Sequence, residues 1–490
     1  MKSIGFKNFR KFSNFKEMRL YPITFLVGTN NSGKSTIIKA IESINKFVNI
    51  TDNQNYFSKE LFKRKHFYFN RNVGTFKRAV FDNNNSKTIV FYCKDDNNND
   101  LEIDIKSAIH NEIEEPYGLI SKVNYYNNEF KIQIQADFQK DNAIIIFNHD
   151  SNNVIVNVNE FEHLKRKDKY FQLFNQTLKV EINGIYHNNN HEDFSMINSE
   201  SSLIEDLLYE LESKIDYLVE NSNYQNPQHK ELCWFINSCK EFIGRNIMGG
   251  FEFPFKKDFM QDEFISYYHI NNIPRDGILN TKTLSPSYVR TLREFQYNVK
   301  SEQRDYIKKW LSNFQIGKDL SVKIIEQDIF ILYIIDKDGD KIKFSEIGTG
   351  SVQIILLLIE LASLIDNTNE FDMKKNQTII IEEPEQNLHP KLQSKLTELF
   401  YETFESYNIK FIIETHSEYL IRKSQSIVKR LNFKNQLDIN NNNPFGIYYV
   451  DGDNDKTPYY MLNYRTDGNF SNEFGSGFYD ESTKLLYEIL

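Results

Sequence analysis

Cysteine is scarce in this chain. Its 490 residues include three, Cys93, Cys233 and Cys239, scattered and without paired spacing. That argues against a disulfide-stapled module or a zinc site and fits free thiols in a reducing compartment. Positive charge is not in excess either. Lys and Arg number 59 against 68 Asp and Glu, giving a net charge of −9 and a pI near 5.7. This disfavours a binder of nucleic acid by bulk cationic charge, so any DNA contact would rest on a local patch. Long apolar runs are missing. The longest, at 329–335 and 354–359, fall far short of the roughly 18 residues a membrane span needs. The opening MKSIGFKNFRKF alternates charged and apolar residues and lacks the apolar core of a signal peptide. The expectation is a cytoplasmic protein with no membrane partner. No internal repeat is visible. What the chain does have is apolar mass: 40% of residues are hydrophobic and 14% aromatic, enough for at least one large core and too much for a disordered chain.

Hydrophobic spacing organises the chain. Residues 2–12 alternate as one strand and 22–27 form a buried strand. Residues 36–47 have helical spacing through Ile37, Ile38, Ile41, Ile44 and Phe47. Runs at 88–92, 101–105, 130–138, 143–147, 154–158 and 177–182 predict an antiparallel β region. The Asn runs at 97–99, 188–190 and 440–443 read as loops. Two helices follow at 201–221 and 230–247, each roughly 30 Å long, too short for a long coiled-coil arm. Next come a strand at 264–269, a helix at 303–314, a hairpin at 319–325 and 329–335, and a third strand at 341–344. The order then becomes helix 351–364, strand 378–381, helix 390–404, strand 410–413 and helix 418–428. That alternation predicts α/β units on a parallel sheet.

Gly28-Thr29-Asn30-Asn31-Ser32-Gly33-Lys34-Ser35 fits G-x-x-x-x-G-K-[ST] between a buried strand and the helix that Thr36 joins. The glycines let the backbone wrap an anion with its N–H groups pointing inward. The helix N-terminus adds partial positive charge. Lys34 would neutralise β- and γ-phosphates and the Ser35 hydroxyl would ligate Mg²⁺. Gly28, Asn30, Asn31, Ser32, Gly33, Lys34, Ser35 and Thr36 are therefore the candidate phosphate-binding residues. Thr378-Ile379-Ile380-Ile381-Glu382-Glu383-Pro384 is an apolar strand ending in two acids. Glu382 is placed to hold the metal shell and Glu383 to orient or deprotonate an attacking water. Thr415-His416-Ser417 follows the next strand, where His416 can reach a γ-phosphate oxygen. Lys34, Glu383 and His416 are the candidate catalytic residues; Ser35 and Glu382 are the candidate metal ligands.

In this order, the motifs resemble the ABC-type ATPase heads of the RecF, SMC and overcoming-lysogenization-defect class. Lys7-Asn8-Phe9-Arg10 looks like the start of that class. Glu382-Glu383-Pro384-Glu385 with Leu388-His389-Pro390 is similar to its Walker B and D-loop, and Thr415-His416-Ser417 to its switch histidine. The segment from Ser345 to Gln353 is similar to its signature, with Glu346-Ile347 apparently inserted, so either Ser345 or Ser351 is the signature serine. No Q-loop glutamine is placed. Ile273-Pro274-Arg275 resembles a Pro–Arg segment in which Arg275 contacts phosphate or braces the fold. Gly477-Phe478-Tyr479-Asp480-Glu481 resembles the C-terminal patch of coil-free relatives, the ATPase subunits of anti-phage systems such as Septu and PARIS.

The resemblance implies an α/β P-loop NTPase head with an antiparallel β subdomain and a β/helical insertion. The ATPase core would occupy 1–93 and 264–490, with the insertion at 94–263. It implies ATP and Mg²⁺ as cofactors, held in a homodimer or a higher even-numbered oligomer. Gly348, Gly350 and a signature serine (Ser345 or Ser351) would meet the γ-phosphate across the dimer interface. It further implies a switch that controls a partner effector, a nuclease encoded nearby, in anti-phage defence. The alternative is a RecF-like repair ATPase that binds DNA; a transporter subunit is the poorer fit.

Other candidates read more plainly. The acidic segments 336–340 and 451–455 lack the Gly and Glu that an EF-hand needs at positions 6 and 12, and read as hairpin turns. The 451–453 pair is also a weak nuclease signal. His187 and His191, with Glu192 and Asp193, read as a solvated loop. Residues 63–71 interleave basic and aromatic side chains, either as a nucleic-acid surface or as a charged half-buried edge.

Overall fold

The computed structural model describes residues 1–49, 66–67, 69, 73, 75–108, 117–127, 132–137, 142–148, 170–174, 177–183, 262–267, 278–280, 284, 286–325, 329–365, 376–451, 457–475 and 488. The helices expected at 201–221 and 230–247 and the strand at 154–158 lie outside these. So do the 187–193 histidines and acids, Arg275, residues 452–456, the 477–481 patch, and the 63–71 stretch apart from 66, 67 and 69.

The first strands are β1 (Ser3–Phe9), β2 (Phe12–Arg19), β3 (Ile23–Val27), β4 (His66–Phe67), β5 (Ile89–Lys94), β6 (Asp100–Ala108) and β7 (Tyr117–Asn127). Then follow β8 (Ile132–Asp137), β9 (Asn142–Asn148), β10 (Tyr170–Phe174), β11 (Thr177–Asn183), β12 (Asp262–Tyr267) and β13 (Ile278–Asn280). The last are β14 (Asp319–Ile325), β15 (Ile329–Ile335), β16 (Lys341–Lys343), β17 (Asn376–Glu382), β18 (Lys410–Glu414), β19 (Phe445–Val450) and β20 (Tyr459–Leu462). The chain folds as two units, 1–19 with 39–261, and 20–38 with 262–490. Among the described residues no helix is long and apolar enough to cross a membrane.

The first unit carries an antiparallel sheet in the order β10-β11-β9-β8-β7-β6-β5-β1-β2, with β4 on β7. Residues 2–12, expected as one strand, instead span a hairpin. β1 turns into β2 through Asn8 and Arg10, both with positive φ (53° and 50°). No glycine marks this turn, so alternation alone ran through it. The hairpin faces its core with phenylalanine. Phe6 stacks on Phe15 with ring centroids 4.5 Å apart and meets Phe9 edge-on at 5.7 Å. Phe91 and Phe67 extend the cluster at 5.7 Å from each other. Such ring pairs add roughly 0.5–1.5 kcal/mol each beyond their buried area.

The second unit contains the expected parallel sheet, in the order β12-β17-β18-β3-β19-β20, with only β20 antiparallel. β3 (ITFLV) is buried along its whole length, as a strand covered on both faces must be. A smaller antiparallel sheet, β13-β15-β14 with β16 on β15, packs in the same core. Asp336 sits between β15 and β16, and its Oδ1 accepts the N–H groups of Asp338, Gly339 and Asp340. That is the expected hairpin turn.

Among the described residues, two helices longer than the single turn Phe76–Ala79 escaped the periodicity. Pro286–Gln296 begins with the favoured proline. Gln436–Asn442 absorbs most of the Asn run expected as loop at 440–443. There the Asn435 side chain caps the Asp438 N–H and Ile439 is buried, so one anchor and a cap outweigh the poor propensity of asparagine.

The helix Thr349–Ile365 is buried almost all round. Within it Glu360 is half-buried, and lost hydration pushes its carboxyl up from an ordinary 4.5 to about 7. A raised folded-state value means the unfolded chain ionises first. Stability is therefore full below about pH 4.5 and is lost as pH rises through 7. Glu360→Gln is expected to raise the melting midpoint at about pH 8, by the equivalent of roughly 1–3 kcal/mol, and to change little at about pH 4.5. Parallel melts at the two pH values check this.

Candidate active site

The ends of three neighbouring strands of the parallel sheet come level. Glu382 of β17 pairs in register with Glu414 of β18, and Glu414 with Leu26 of β3. Ligands of open α/β sheets sit outside these carboxyl ends. From β3 the chain enters the phosphate loop and then the helix Lys34–Asn49.

The loop is built for an anion. Gly28 has φ 147°, and a Cβ there would collide with the Val450 carbonyl oxygen; only glycine fits. Asn31 and Gly33 also have positive φ, 59° and 110°. Ser32 is buried, and its hydroxyl has no hydrogen-bond partner. An orphaned buried hydroxyl in this loop fits an acceptor such as phosphate. Lys34 is buried and curls back on the loop, its Nζ donating to the carbonyls of Gly28 (3.1 Å) and Thr29 (2.9 Å). Burial holds its pKa below the ordinary lysine value, against the pull of Glu414, Glu383 and Glu385. An ammonium with weak carbonyl partners and several carboxylates nearby is poised to exchange them for phosphate oxygens.

Glu383 begins the turn after β17 with φ 46°, a left-handed conformation uncommon for a long side chain. Its N–H donates to the Glu414 carbonyl at 2.7 Å, and its Oε2 accepts from the Gln386 amide. Its Oε1 lies 3.7 Å from Nε2 of His416. Burial holds His416 below its ordinary pKa, with Lys34 adding to that and Glu383 opposing it. The buried Glu385 ties down the segment after β18: its Oε1 accepts the His416 N–H at 2.7 Å. Desolvation raises the Glu385 carboxyl. Ser417 then caps the helix Glu418–Leu431 and donates to Gln393 at 2.6 Å.

The residue that sequence reasoning missed is Glu414. Its carboxylate is buried, accepts the Ser35 hydroxyl at 2.9 and 3.2 Å, and lies 4.0 Å from Lys34 Nζ. Desolvation pushes it up to about 7, opposed by Ser35 and Lys34. Glu383, Glu414 and His416 bring one ligand atom each within 4.8 Å of one another. The third atom is an imidazole nitrogen; the two carboxylates, with the Ser35 hydroxyl beside Glu414, are the oxygen donors that suit a hard divalent cation such as Mg²⁺. Glu382, the acid expected in the metal shell, is half-buried at the end of β17, one strand further from the loop.

The segment around the expected signature meets the turn after β17 in this unit. Ser345 and Gly348 are exposed and Ser351 is half-buried at the start of the helix Thr349–Ile365. Gly350 packs against the 383–389 turn, where a Cβ would strike the Asn387 carbonyl oxygen. Among the described residues no hydrogen bond joins 345–351 to the phosphate loop of the same chain.

Residues 1–421 match the AAA ATPase domain family. The chain is 21% identical to endonuclease GajA of Bacillus cereus strain HuB5-5, over 89% of this chain and 58% of that protein. It is 26% identical to the retron Vc95 probable ATPase of Vibrio cholerae serotype O1 biovar El Tor, over 31% of this chain and 30% of that protein. The chain thus spans little more than half of one relative's length and under a third of the other's. Among solved structures it resembles the Pyrococcus furiosus Smc head domain bound to the C-terminal domain of ScpA, with 12% identity, 100% and 98% coverage and a TM-score of 0.37. It also resembles the Thermotoga maritima SMC head domain, with 11% identity, 94% and 98% coverage and a TM-score of 0.32.

Proposed function

We propose, from the premise that this chain belongs to the AAA ATPase domain family, that it is an ATP-driven switch. Two copies close on ATP, hydrolysis separates them, and the closed state controls a partner nuclease in anti-phage defence. The observation that carries the reading is the meeting of Lys34, Ser35, Glu383, Glu414 and His416 at three level strand ends.

The roles follow from the geometry. The loop N–H groups, the Ser32 hydroxyl and Lys34 bind the phosphates. When bound, Mg²⁺ supplies charge neutralisation across the terminal phosphates, and Ser35 with the neighbouring carboxylates would hold it. Glu383 takes a proton from the attacking water, and the Gln386 amide keeps its carboxylate facing the site. His416, held by Glu385 through its backbone, donates to the γ-phosphate. The exposed turn at Ser345 and Gly348 is free to meet the nucleotide of a second copy, which supports a homodimer or a higher even-numbered oligomer. An endonuclease among the relatives supports a nuclease as effector. Among the described residues, metal-capable side chains cluster in the ATP site, which favours placing nuclease chemistry in a partner.

The test is hydrolysis together with mass. The purified chain is expected to release phosphate from ATP with Mg²⁺ and to double its mass by light scattering when ATP is present but not turned over. A chain that stays one size with and without ATP, alone and with its genomic neighbour's product, removes the switch.

A further inference from the structure

Resting on the ATP reading above, we infer that Glu414 positions the Ser35 hydroxyl for the metal and makes nucleotide binding conditional on a divalent cation. Beside the Ser32 hydroxyl, the phosphate loop offers the Ser35 hydroxyl to the metal and the Lys34 ammonium to the terminal phosphates. Glu414 already engages both, at 2.9 Å and 4.0 Å. Its place cannot relax by a shift of the backbone. β18 is clamped between β17 and β3, the Glu414 carbonyl accepts the Glu383 N–H at 2.7 Å, and the Thr415 N–H donates to Leu26 at 3.1 Å.

Two consequences follow for a bound triphosphate. First, Ser35 spends its one hydrogen on Glu414, so the lone pairs of its oxygen turn outward, the orientation a cation needs from a hydroxyl ligand. Second, a metal-free triphosphate would bring its terminal charge against the Glu414 carboxylate, in a cleft where Glu383 and Glu385 also bear on Lys34. Ser35 and Glu414 would hold a divalent cation whose charge would offset that repulsion, because carboxylate and phosphate oxygens are both hard ligands. Glu414 is therefore a positioning residue that acts through Ser35, and it also excludes the bare polyanion.

The experiment is a titration of a fluorescent ATP analogue into the purified full chain at about pH 8, once in excess Mg²⁺ and once in EDTA. The wild type is expected to bind at least about 100-fold more tightly with Mg²⁺. Glu414→Gln keeps the size and an acceptor for Ser35 but removes the charge. It is expected to strengthen metal-free binding and shrink that ratio about tenfold or more. Glu414→Asp keeps the charge and is expected to keep the metal requirement. An unchanged ratio in Glu414→Gln overturns the inference while leaving the ATP reading intact. Failure of the wild type to bind in either condition overturns the ATP reading and this inference with it. Should Glu414→Gln not melt cooperatively, Glu414→Ala carries the same comparison.

Discussion

Glu383→Gln is expected to bind ATP with near wild-type affinity, to lose about 10²–10⁴-fold in hydrolysis rate, and to accumulate in the associated state. In barrier terms that is roughly 3–5 kcal/mol. The size of the loss follows from what the substitution spares. Glutamine has the same length and tolerates φ 46° as glutamate does. The N–H of residue 383 still meets the Glu414 carbonyl, and the Gln386 amide still finds an oxygen to donate to. Lys34 and Ser35 are untouched. What disappears is the capacity to accept a proton from water at a point fixed by the turn after β17. The left-handed backbone there costs of order 1–3 kcal/mol, and the turn retains it through Gln386 and the tie to β18. Single-turnover phosphate release and light scattering with ATP check the outcome. Hydrolysis at the wild-type rate would assign the base to another group, with Glu414 first in line.

How much of this was readable beforehand depends on distance along the chain. The phosphate loop is local: eight consecutive residues flanked by a strand and a helix, with the conformation dictated by Gly28 and Gly33. The strand–helix alternation from 378 to 430 was equally local, and it became the parallel sheet. Family resemblance added His416 as a candidate, and the structure brings it within 3.7 Å of Glu383. Glu414 was not readable in the same way. Its contact with Ser35 joins positions 379 residues apart, and it depends on β18 lying between β17 and β3. Spacing within a strand says which residues share a face; it does not say which strand is next to which. Glu382, at the end of β17, therefore drew the metal role, although the acid that touches Ser35 stands on the neighbouring strand. The missed hairpin at β1 and β2 has a different cause. Its turn uses Asn8 and Arg10 in place of glycine or proline, so no punctuation interrupts the alternation. A signal for Glu414 did exist: an acid ends the apolar strand 411–413, directly before Thr415-His416-Ser417. A carboxylate at the carboxyl end of a buried parallel strand is costly unless something there needs it.

Lys34→Ala is expected to cut ATP affinity at least about 100-fold and to abolish both turnover and ATP-dependent association. Two effects act in the same direction. The ammonium that would meet the β- and γ-phosphates is lost, and charge-assisted contacts of this kind are roughly twice as strong as neutral ones. The carboxylates of Glu414, Glu383 and Glu385, each of which bears on Lys34, are also left facing the incoming phosphates without it. The folded state loses less. Of the two carbonyls that Lys34 holds, that of Thr29 lies in a part-buried contact where water can take the vacated position, and that of Gly28 is buried. Glu414 keeps the Ser35 hydroxyl. A melting midpoint close to wild type without nucleotide, together with no upward shift on adding Mg–ATP, separates lost binding from lost folding. A shift equal to that of the wild type would mean that nucleotide is held elsewhere, and the assignment of Lys34, Ser35, Glu383 and His416 to one site would fall with it. Because Lys34→Ala removes binding while Glu383→Gln preserves it, the pair also separates the two halves of the switch. If partner control follows nucleotide occupancy, the first variant leaves the effector in its ATP-free state, and the second holds it in the ATP-bound state.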